Sequence, residues 1–393
     1  MNWVDRFRDP ALARKIVDDI HKQVSPVAKK LGRPLQIMEV CGGHTHTLFK
    51  YGIPDLFKDV IEFAHGPGCP VCVLPVEVID DCYELVLKPS KAHITSNPKT
   101  QNNVILTTFG DAMRVPGKYG SLLMAKAQGA DIRMVYSPLD ALEIAKKNPD
   151  HEVVFLGLGF ETTMPSTAMT VKLAKEQNLE NFSLYCAHIT IIPTLYSLLE
   201  GGQINVDGFI GPGHVSMVIG TKPYEFIPNE FNLPFVVAGF EPIDLLQSLA
   251  LVVDQIANNE AKVENQYKRS VLTKGNCKAI ETLNQVFQPD SGFDWRGLGQ
   301  VKDSGVRLSQ EYRDFDAQEK FQIGRHKTTD PLLTELGLCS QVITGEKKPK
   351  DCPLFDRGCN PNTPVGALMV SNEGACAAYY QYSRDQQVMN YER

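Results

Sequence analysis

The sequence predicts an α/β protein with two similar Rossmann-like parallel-sheet domains that face each other across a cleft, plus a mainly helical or irregular third domain. Between residues 35 and about 245, short apolar runs alternate with helical stretches, which is typical of parallel sheets covered by helices. The runs are LQIMEV, VIEFA, NVILTTF, IRMVYS, EVVFLGLG, FSLYCA, VDGFIG and FVVAGF. Beyond about residue 250 the chain becomes polar, with scattered aromatic residues.

Repeated motifs at the ends of the apolar runs predict the duplication. GPGC at 66–69 is matched by GPGH at 211–214, and GFE occurs at 159–161 and again at 239–241. The expected domains are therefore 33–145, 146–248 and 249–393, with the N-terminal helix of 1–32 as a segment that can pack on the third domain.

Two helices are predicted outside the repeated units. Apolar residues recur every four positions in the first, which we expect to end near Pro26: Leu12, Ile16, Ile20 and Val24. The segment at 252–271, VVDQIANNEAKVENQYKRSV, is also predicted to be helical.

Composition and charge exclude several classes of partner. The 393 residues carry 40 Lys and Arg against 46 Asp and Glu, a net charge of −6, without a basic block. Nucleic acid and anionic membranes are therefore poor candidate partners. The N-terminus has no apolar signal-peptide core, and no stretch approaches the roughly 18 apolar residues that span a bilayer. We expect a cytoplasmic protein, whose ten cysteines are metal ligands or redox groups rather than structural disulfides.

The motif CGGHTH at 41–46 follows the first apolar run. Cys41 is expected where a buried strand opens into a loop, which is the end of a parallel strand at which ligands bind. His44 lies three residues on, so both side chains can face one cleft. A cysteine that is only a small buried core residue remains the alternative.

The motif GPGCPVC places Cys69 and Cys72 in a C-x-x-C pair after the second run. This spacing is typical of a dithiol that closes a small disulfide. Half of a zinc site is the alternative, with the other half from Cys41, His44 or His65.

Four cysteines, spaced C-x12-C-x6-C-x16-C, lie in a Gly-, Pro- and Lys-rich C-terminal segment with little periodicity: Cys339, Cys352, Cys359 and Cys376. Such a segment is expected to need a metal centre to order it. Four thiolates suit a [4Fe-4S] cluster or a structural zinc, and the absence of close C-x2-C pairs favours the cluster. Cys376 is expected near a helix N-terminus.

A set of polar residues follows glycine or an apolar run, where a cleft-lining group belongs: Asp111, Glu161 with Thr162 and Thr163, His214, and Glu241. Each is equally compatible with a turn or a helix cap. GLGFET lacks the third glycine of a dinucleotide loop, which argues against nucleotide binding.

The motifs CGGHTH, GPGCPVC, GFETT and PGHVS and the four-cysteine segment occur in this order, and together they resemble the HypD family of hydrogenase maturation proteins. The resemblance spans nearly the whole chain. It implies two similar α/β domains and a third domain that carries a [4Fe-4S] cluster.

The family's role, as the resemblance implies it, is assembly of the Fe(CN)2(CO) half of the [NiFe] hydrogenase active site. A small chaperone, HypC, places its N-terminal cysteine beside the cysteine matching Cys41, so that iron is held between them. HypE, loaded with cyanide by HypF, then delivers the ligands. We expect a scaffold with a redox role rather than an enzyme that turns over a substrate alone.

The resemblance also assigns roles to residues. Cys69 and Cys72 match the family's redox pair, His44 matches a histidine beside the iron, and the four C-terminal cysteines match the cluster ligands. Electrons from the cluster are expected to reduce the Cys69–Cys72 disulfide or pass through it to the iron. Glu161 and His214 are expected to support the cleft. Cys82, Cys186 and Cys277 match no motif and are expected to be buried thiols.

Two other classes of function remain. One is a stand-alone iron-sulfur disulfide reductase that resembles ferredoxin-thioredoxin reductase; it explains the cluster and the C-x-x-C pair but leaves CGGHTH without a role. The other is a binding module with zinc in the C-terminal segment and no redox role.

Overall fold

The computed structural model describes residues 3–87, 104–202, 204–324 and 337–382, and each predicted apolar run forms a strand. The strands are β1 (Leu35–Glu39), β2 (Ile61–His65), β3 (Val104–Thr108), β4 (Ile132–Met134), β5 (Glu152–Gly159), β6 (Phe182–His188), β7 (Gly208–Pro212), β8 (Phe235–Ala238), β9 (Val263–Asn265), β10 (Phe287–Asp290), β11 (Phe293–Trp295), β12 (Gly299–Val301) and β13 (Gly305–Leu308).

Helices cover these strands and connect them. They are α1 (Pro10–Leu31), α2 (Gly42–Lys50), α3 (Ile53–Phe57), α4 (Val76–Leu87), α5 (Leu122–Ala127), α6 (Pro138–Lys147), α7 (Met164–Glu176), α8 (Ile191–Glu200), α9 (Gly213–Ile219), α10 (Phe226–Phe231), α11 (Pro242–Ala257), α12 (Cys277–Val286), α13 (Ala317–Phe321) and α14 (Cys339–Ile343). Short 3₁₀ helices lie at Trp3–Arg8, Ala112–Arg114, Lys222–Tyr224, Gln310–Phe315, Pro349–Asp351 and Ala367–Met369.

The strands form two parallel sheets, which confirms the α/β class. The first sheet has the order β2-β1-β7-β8-β9 and the second has the order β4-β3-β5-β6. In the first sheet the chain leaves β1 in one direction to β2 and continues on the other side with β7. The second sheet reverses in the same way between β3 and β5. Such reversal points open a crevice at the carboxyl ends of the strands.

The sheets do not divide the strands at residue 145. The first sheet combines strands from 35–65 with strands from 208–265, and the second sheet takes its strands from 104–188. The division into 33–145, 146–248 and 249–393 remains a prediction, and parts of these ranges, at 88–103, 325–336 and 383–393, lie outside the described residues. Helix α1 packs on α11 and on the first sheet.

Helix α1 continues beyond Pro26, so its predicted end is wrong. Asp9 caps the helix N-terminus, and Gly32, with φ of 69°, ends it. Pro26 lies on the exposed face, where water can bind the carbonyl group that loses its amide partner. The buried face carries Ile20 and Val24.

The region after residue 257 differs from the expectation. The predicted helix at 252–271 ends as α11 at Ala257, because Asn258 and Asn259 stop it, and β9 then joins the edge of the first sheet. Residues 287–308 form two small antiparallel pairs, β10 with β13 and β11 with β12. This part is therefore less purely helical or irregular than predicted.

The cysteine-rich segment buries more apolar area than its composition suggests. Its buried side chains include Val342, Ile343, Leu368, Met369 and Val370, and they join the largest core cluster of the protein. Packing as well as any bound metal therefore orders this segment. Within the described ranges, no helix has both the length and the apolar character that a membrane crossing requires.

Candidate functional site

Cys41 lies at the carboxyl end of β1, as the sequence predicts, and the structure places this end at the reversal point of the first sheet. It follows β1 by two residues and is the N-cap of α2, with 7 % of its surface exposed. The glycines of CGGHTH therefore begin a helix and do not open a loop. The GPGC turn packs directly on Cys41, since a Cβ atom on Gly68 would be 2.2 Å from the Cys41 amide nitrogen. Only glycine allows this approach.

A buried carboxylate, Glu39, fixes the backbone around Cys41. One of its oxygens accepts a hydrogen bond from the Cys41 amide at 2.9 Å, and the other accepts from His65 Nδ1 at 2.8 Å and from Thr45 Oγ1. Glu39 is fully buried, so this set of partners replaces the water that it has lost. The motif loops after β1 and β2 are thus joined through one side chain.

His44 and His214 lie on one aromatic ring. Phe240, after β8, has its ring centroid 4.8 Å from that of His44 and 3.7 Å from that of the exposed His214. His44 is fully buried, its Nε2 is 3.2 Å from the Ala238 carbonyl oxygen, and its Nδ1 has no partner. The structure therefore brings Cys41, His44 and His214 to one edge.

Burial sets the protonation states of His44 and Cys41 at this edge. Burial lowers the pKa of His44 to about 4, so the ring is neutral at pH 7 and does not provide a positive charge that lowers the cysteine pKa. Burial, and then the nearby carboxylates Glu373 and Glu39, raise the pKa of Cys41 well above its usual value. The amides of Gly43 and His44 favour the thiolate. Cys41 is thus a thiol until a metal displaces its proton.

Cys69 and Cys72 form a disulfide, with Cα atoms 5.3 Å apart. Sulfurs bonded to each other are not thiolates, so the alternative of half a zinc site is not the observed arrangement. Both residues line a small cavity with Thr45 and His65 on one side and Glu373 on the other. The disulfide therefore lies between the Cys41 edge and the cysteine-rich segment.

The four C-terminal cysteines line one cavity, here called the cysteine cavity. Most of its other walls are apolar. Burial raises the pKa of Cys339 to about 11 and raises the pKa of Cys376 well above its usual value; nearby thiols add to both effects. In the described ranges, no three Cys, His, Asp or Glu side chains are close enough to hold a single metal ion. Cys376 lies in the first turn of a helix that begins at residue 375, as expected.

Glu161 lies at the reversal point of the other sheet. It follows β5, and its Oε1 accepts a hydrogen bond of 3.1 Å from the amide of Ile191, the first residue of α8. Its Oε2 is buried without a partner, and burial raises its pKa to about 7.

The remaining polar candidates have structural roles. Glu241 is the N-cap of α11 and pairs with Arg8 at 2.7 Å. Thr163 Oγ1 donates to the Leu158 carbonyl group at 3.1 Å, and Asp111 is 3.7 Å from Arg114.

Three cysteines have no assigned motif, and they do not share one environment. Cys82 and Cys186 are buried, as expected. The expectation is wrong for Cys277, which is exposed at the start of α12 because the residues before the helix do not cover it.

Sequence reasoning missed Glu39, Phe240 and Arg296, the last of which lines the cysteine cavity. One signal was available, since Glu39 is a charged residue inside a run that is otherwise apolar. No local signal marks the other two, because their contacts join segments far apart in the chain.

The chain is similar to known proteins along nearly its whole length. The family model HypD, described as "Hydrogenase formation hypA family", matches residues 11–383. The hydrogenase maturation factor HypD of Escherichia coli (strain K12) is 50% identical over 386 residues, which cover 98% of this chain and 99% of the relative. HypD of Rhodobacter capsulatus is 50% identical over 383 residues, which cover 97% and 98%. The hydrogenase expression/formation protein HupD of Azotobacter chroococcum mcd 1 is 42% identical over 393 residues, with 98% of each covered. The chain therefore belongs to the HypD family.

Proposed function

We propose that this chain is a hydrogenase maturation factor that holds iron on Cys41 while the Fe(CN)2(CO) unit is assembled. The observation that carries the proposal is the setting of Cys41, a thiol at the reversal point of a parallel sheet, fixed by Glu39 and flanked by glycines. The names of the relatives, which describe hydrogenase maturation, support the same role.

Low-spin ferrous iron that carries cyanide and carbonyl is a soft metal, and thiolate is the soft ligand that a protein offers. Iron that binds Cys41 releases its proton, so binding is expected to strengthen as the pH rises. A single cysteine leaves coordination positions open for cyanide, for carbonyl and for a cysteine of a partner. His44 is neutral and its Nε2–H donates to the Ala238 carbonyl oxygen, so its free Nδ1 is an acceptor that can receive a hydrogen bond from a protonated incoming ligand. We propose this supporting role for His44 rather than coordination of the iron.

The Cys69–Cys72 disulfide is proposed to open and close during assembly. Opening takes up two electrons and two protons and yields two thiols. The disulfide shares its cavity with Thr45 and His65, both of which bind Glu39, and Glu39 in turn binds the Cys41 amide. A change at the disulfide can thus reach the iron-binding thiol through three hydrogen bonds.

Labelling of free thiols tests this redox role. Reduction of the purified protein should expose two further thiols, and the Cys69→Ser, Cys72→Ser double variant should show no such gain. Cys277 is an internal standard, because it is exposed and free in both states. An equal count before and after reduction would contradict cycling.

We propose that Cys339, Cys352, Cys359 and Cys376 are the ligands of a [4Fe-4S] cluster bound in the cysteine cavity. All four line one cavity with mostly apolar walls. Buried thiols with raised pKa values gain most from a metal that replaces their protons. When bound, such a cluster supplies single electrons. A colourless anaerobic preparation with zinc in place of iron would contradict this assignment.

The partners are proposed from the resemblance. HypC is expected to contribute the second cysteine to the iron, and HypE, supplied by HypF, is expected to deliver cyanide. A stand-alone disulfide reductase is the second candidate, favoured by the closeness of Cys72 to the cysteine-rich segment, where a Cβ atom on Gly374 would be 3.0 Å from its Sγ. It gives the enclosed Cys41 no role.

Infrared spectroscopy of the complex with HypC, purified anaerobically from cells that contain HypE and HypF, tests the proposal. We expect bands of iron-bound cyanide and carbonyl. A complex without these bands, combined with reduction of small disulfides by the isolated chain, would favour the reductase.

A further inference from the structure

Arg296 occupies a position between the disulfide loop and the cysteine cavity. It lies in the turn that joins β11 to β12, and its amide donates a hydrogen bond of 2.9 Å to the carbonyl oxygen of Val73, the residue after Cys72. The next residue, Gly297, packs on α14, where a Cβ atom would be 3.3 Å from Ser340 Cα. The turn therefore connects the two sulfur sites.

The guanidinium of Arg296 is only partly satisfied. Nη2 donates to the Pro116 carbonyl oxygen at 2.6 Å, whereas Nε is buried and has no partner. The side chain forms part of the wall of the cysteine cavity. A buried cationic group with an unpaired donor is costly unless a negative charge lies close to it.

Two carboxylates and one cysteine of the cavity provide negative charge near Arg296. Burial lowers the pKa of Arg296 to about 10, and the negative charges of Cys339, Glu77 and Asp80 act in the opposite direction. The group is thus a cation at neutral pH. Four thiolates around iron and sulfide give a net negative site, and each added electron makes it more negative. A cation that is separated from the cluster by little water stabilises the reduced form of the cluster more than the oxidised form.

We propose that the buried positive charge of Arg296 raises the reduction potential of the cluster that binds at the four-cysteine site. This inference rests on the proposed cluster assignment. The step concerned is the uptake of one electron by the cluster from an external reductant such as dithionite, and it breaks no covalent bond and moves no proton. Arg296 thereby sets how readily the site beside the disulfide is reduced.

The test is an anaerobic redox titration of the full chain, monitored by electron paramagnetic resonance and by absorption. In Arg296→Gln we expect iron to be retained and the ratio of reduced to oxidised cluster, at a fixed potential, to fall at least tenfold, a shift of 59 mV for one electron. Arg296→Lys, which keeps the charge, should shift less.

Arg114→Gln is the matched control. Arg114 Nη2 donates to the carbonyl oxygen of Val370 in the cysteine-rich segment at 2.6 Å, but Arg114 does not line the cysteine cavity. This variant should keep the wild-type potential. A shift in it equal to that of Arg296→Gln would mean that the potential follows the packing of the segment, and would overturn the inference.

Two further outcomes also test the proposed role of Arg296. A full cluster at wild-type potential in Arg296→Gln overturns the inference. If Arg296→Gln loses its iron, recovery of iron and of a near-wild-type potential in Arg296→Lys supports a role for the charge, and loss in both variants overturns it. Failure of the cluster assignment itself is distinguishable, because the wild-type protein would then lack an iron-sulfur spectrum.

Discussion

The carboxyl edges of the two parallel sheets each bury a histidine and a glutamate, but the hydrogen bonding of the two pairs is opposite. At the first sheet Glu39 has three donors, whereas His44 has a free Nδ1. At the second sheet both nitrogens of His188 have partners, Gly159 O at 3.2 Å and Thr167 Oγ1 at 3.1 Å, whereas Glu161 has a free Oε2.

This difference shows how one topology supports two chemical environments. Both sheets reverse their strand order at a comparable place, so both offer a crevice there. The first crevice has a thiol held in place by a saturated carboxylate, which suits a soft metal. The second has a carboxyl group of raised pKa, whose charge is controlled by pH. The side chains at the strand ends, rather than the fold, decide the function.

The largest effect on stability should come from the saturated carboxylate. Glu39→Ala leaves the Cys41 amide, Thr45 Oγ1 and His65 Nδ1 without their buried acceptor, and we expect the free energy of unfolding to fall by about 3 to 5 kcal/mol. Glu161→Ala leaves a single amide without its acceptor, so the free energy of unfolding should fall by a smaller amount. Urea unfolding of both variants checks the order, and equal losses would contradict the comparison.

A smaller effect, dependent on pH, should come from Glu161. Its folded pKa of about 7 lies above the ordinary glutamate value of 4.5, so the folded state binds more protons and stability falls as the pH rises through this window. The loss is at most about 3 kcal/mol. Glu161→Gln removes it and should unfold at a higher temperature than the wild type at pH 8, with little difference at pH 4.

His44 and His188 act in the opposite direction, which makes the difference between wild type and Glu161→Gln the quantity to measure. Burial lowers both pKa values to about 4, so the unfolded state binds more protons and stability rises between about pH 4 and 6.5. These contributions are common to both proteins and cancel. If the difference in unfolding temperature between the wild type and Glu161→Gln does not change with pH, Glu161 stays in one protonation state.

The smallest effect should separate the two histidines. His44→Ala should weaken the cyanide and carbonyl bands of the complex without abolishing them, since its free Nδ1 assists a ligand. His188→Ala removes a ring of similar burial whose nitrogens are both occupied, and should lower stability without weakening the bands per mole of folded complex. Equal weakening in both variants would make His44 a packing residue only.

The sequence predicted the parallel strands well because each is a buried run of strand-forming residues, such as EVVFLGLG, all of whose residues are buried in β5. It missed β9, whose three residues VEN include only one apolar side chain and are half-buried at the edge of a sheet. It also missed β10 to β13, which are short pairs in a polar region. The predicted end of α1 near Pro26 was wrong because the sequence does not show whether a proline lies on the exposed face of a helix.

The features of the candidate site that depend on a single sequence motif were predictable. Cys41 lies at the end of its strand, and Cys69 and Cys72 are close enough to bond, as their spacing predicts. The neutral state of His44 was not predictable, because it depends on burial under residues such as Phe240, which lies almost 200 positions away in the chain.

The central claim is that the thiol at the first edge carries the iron, and the comparison of Cys41→Ala with Cys186→Ala tests it most directly. Cys186 is also buried, with a pKa raised to about 12, but it lies in β6 of the second sheet and donates to the Val306 carbonyl group. Each variant is purified anaerobically in complex with HypC and examined by infrared spectroscopy. We predict that Cys41→Ala loses every cyanide and carbonyl band and keeps its iron-sulfur absorption, while Cys186→Ala keeps both. Bands of wild-type strength in Cys41→Ala would contradict the claim and would place the iron elsewhere, with Cys69 and Cys72 the next candidates.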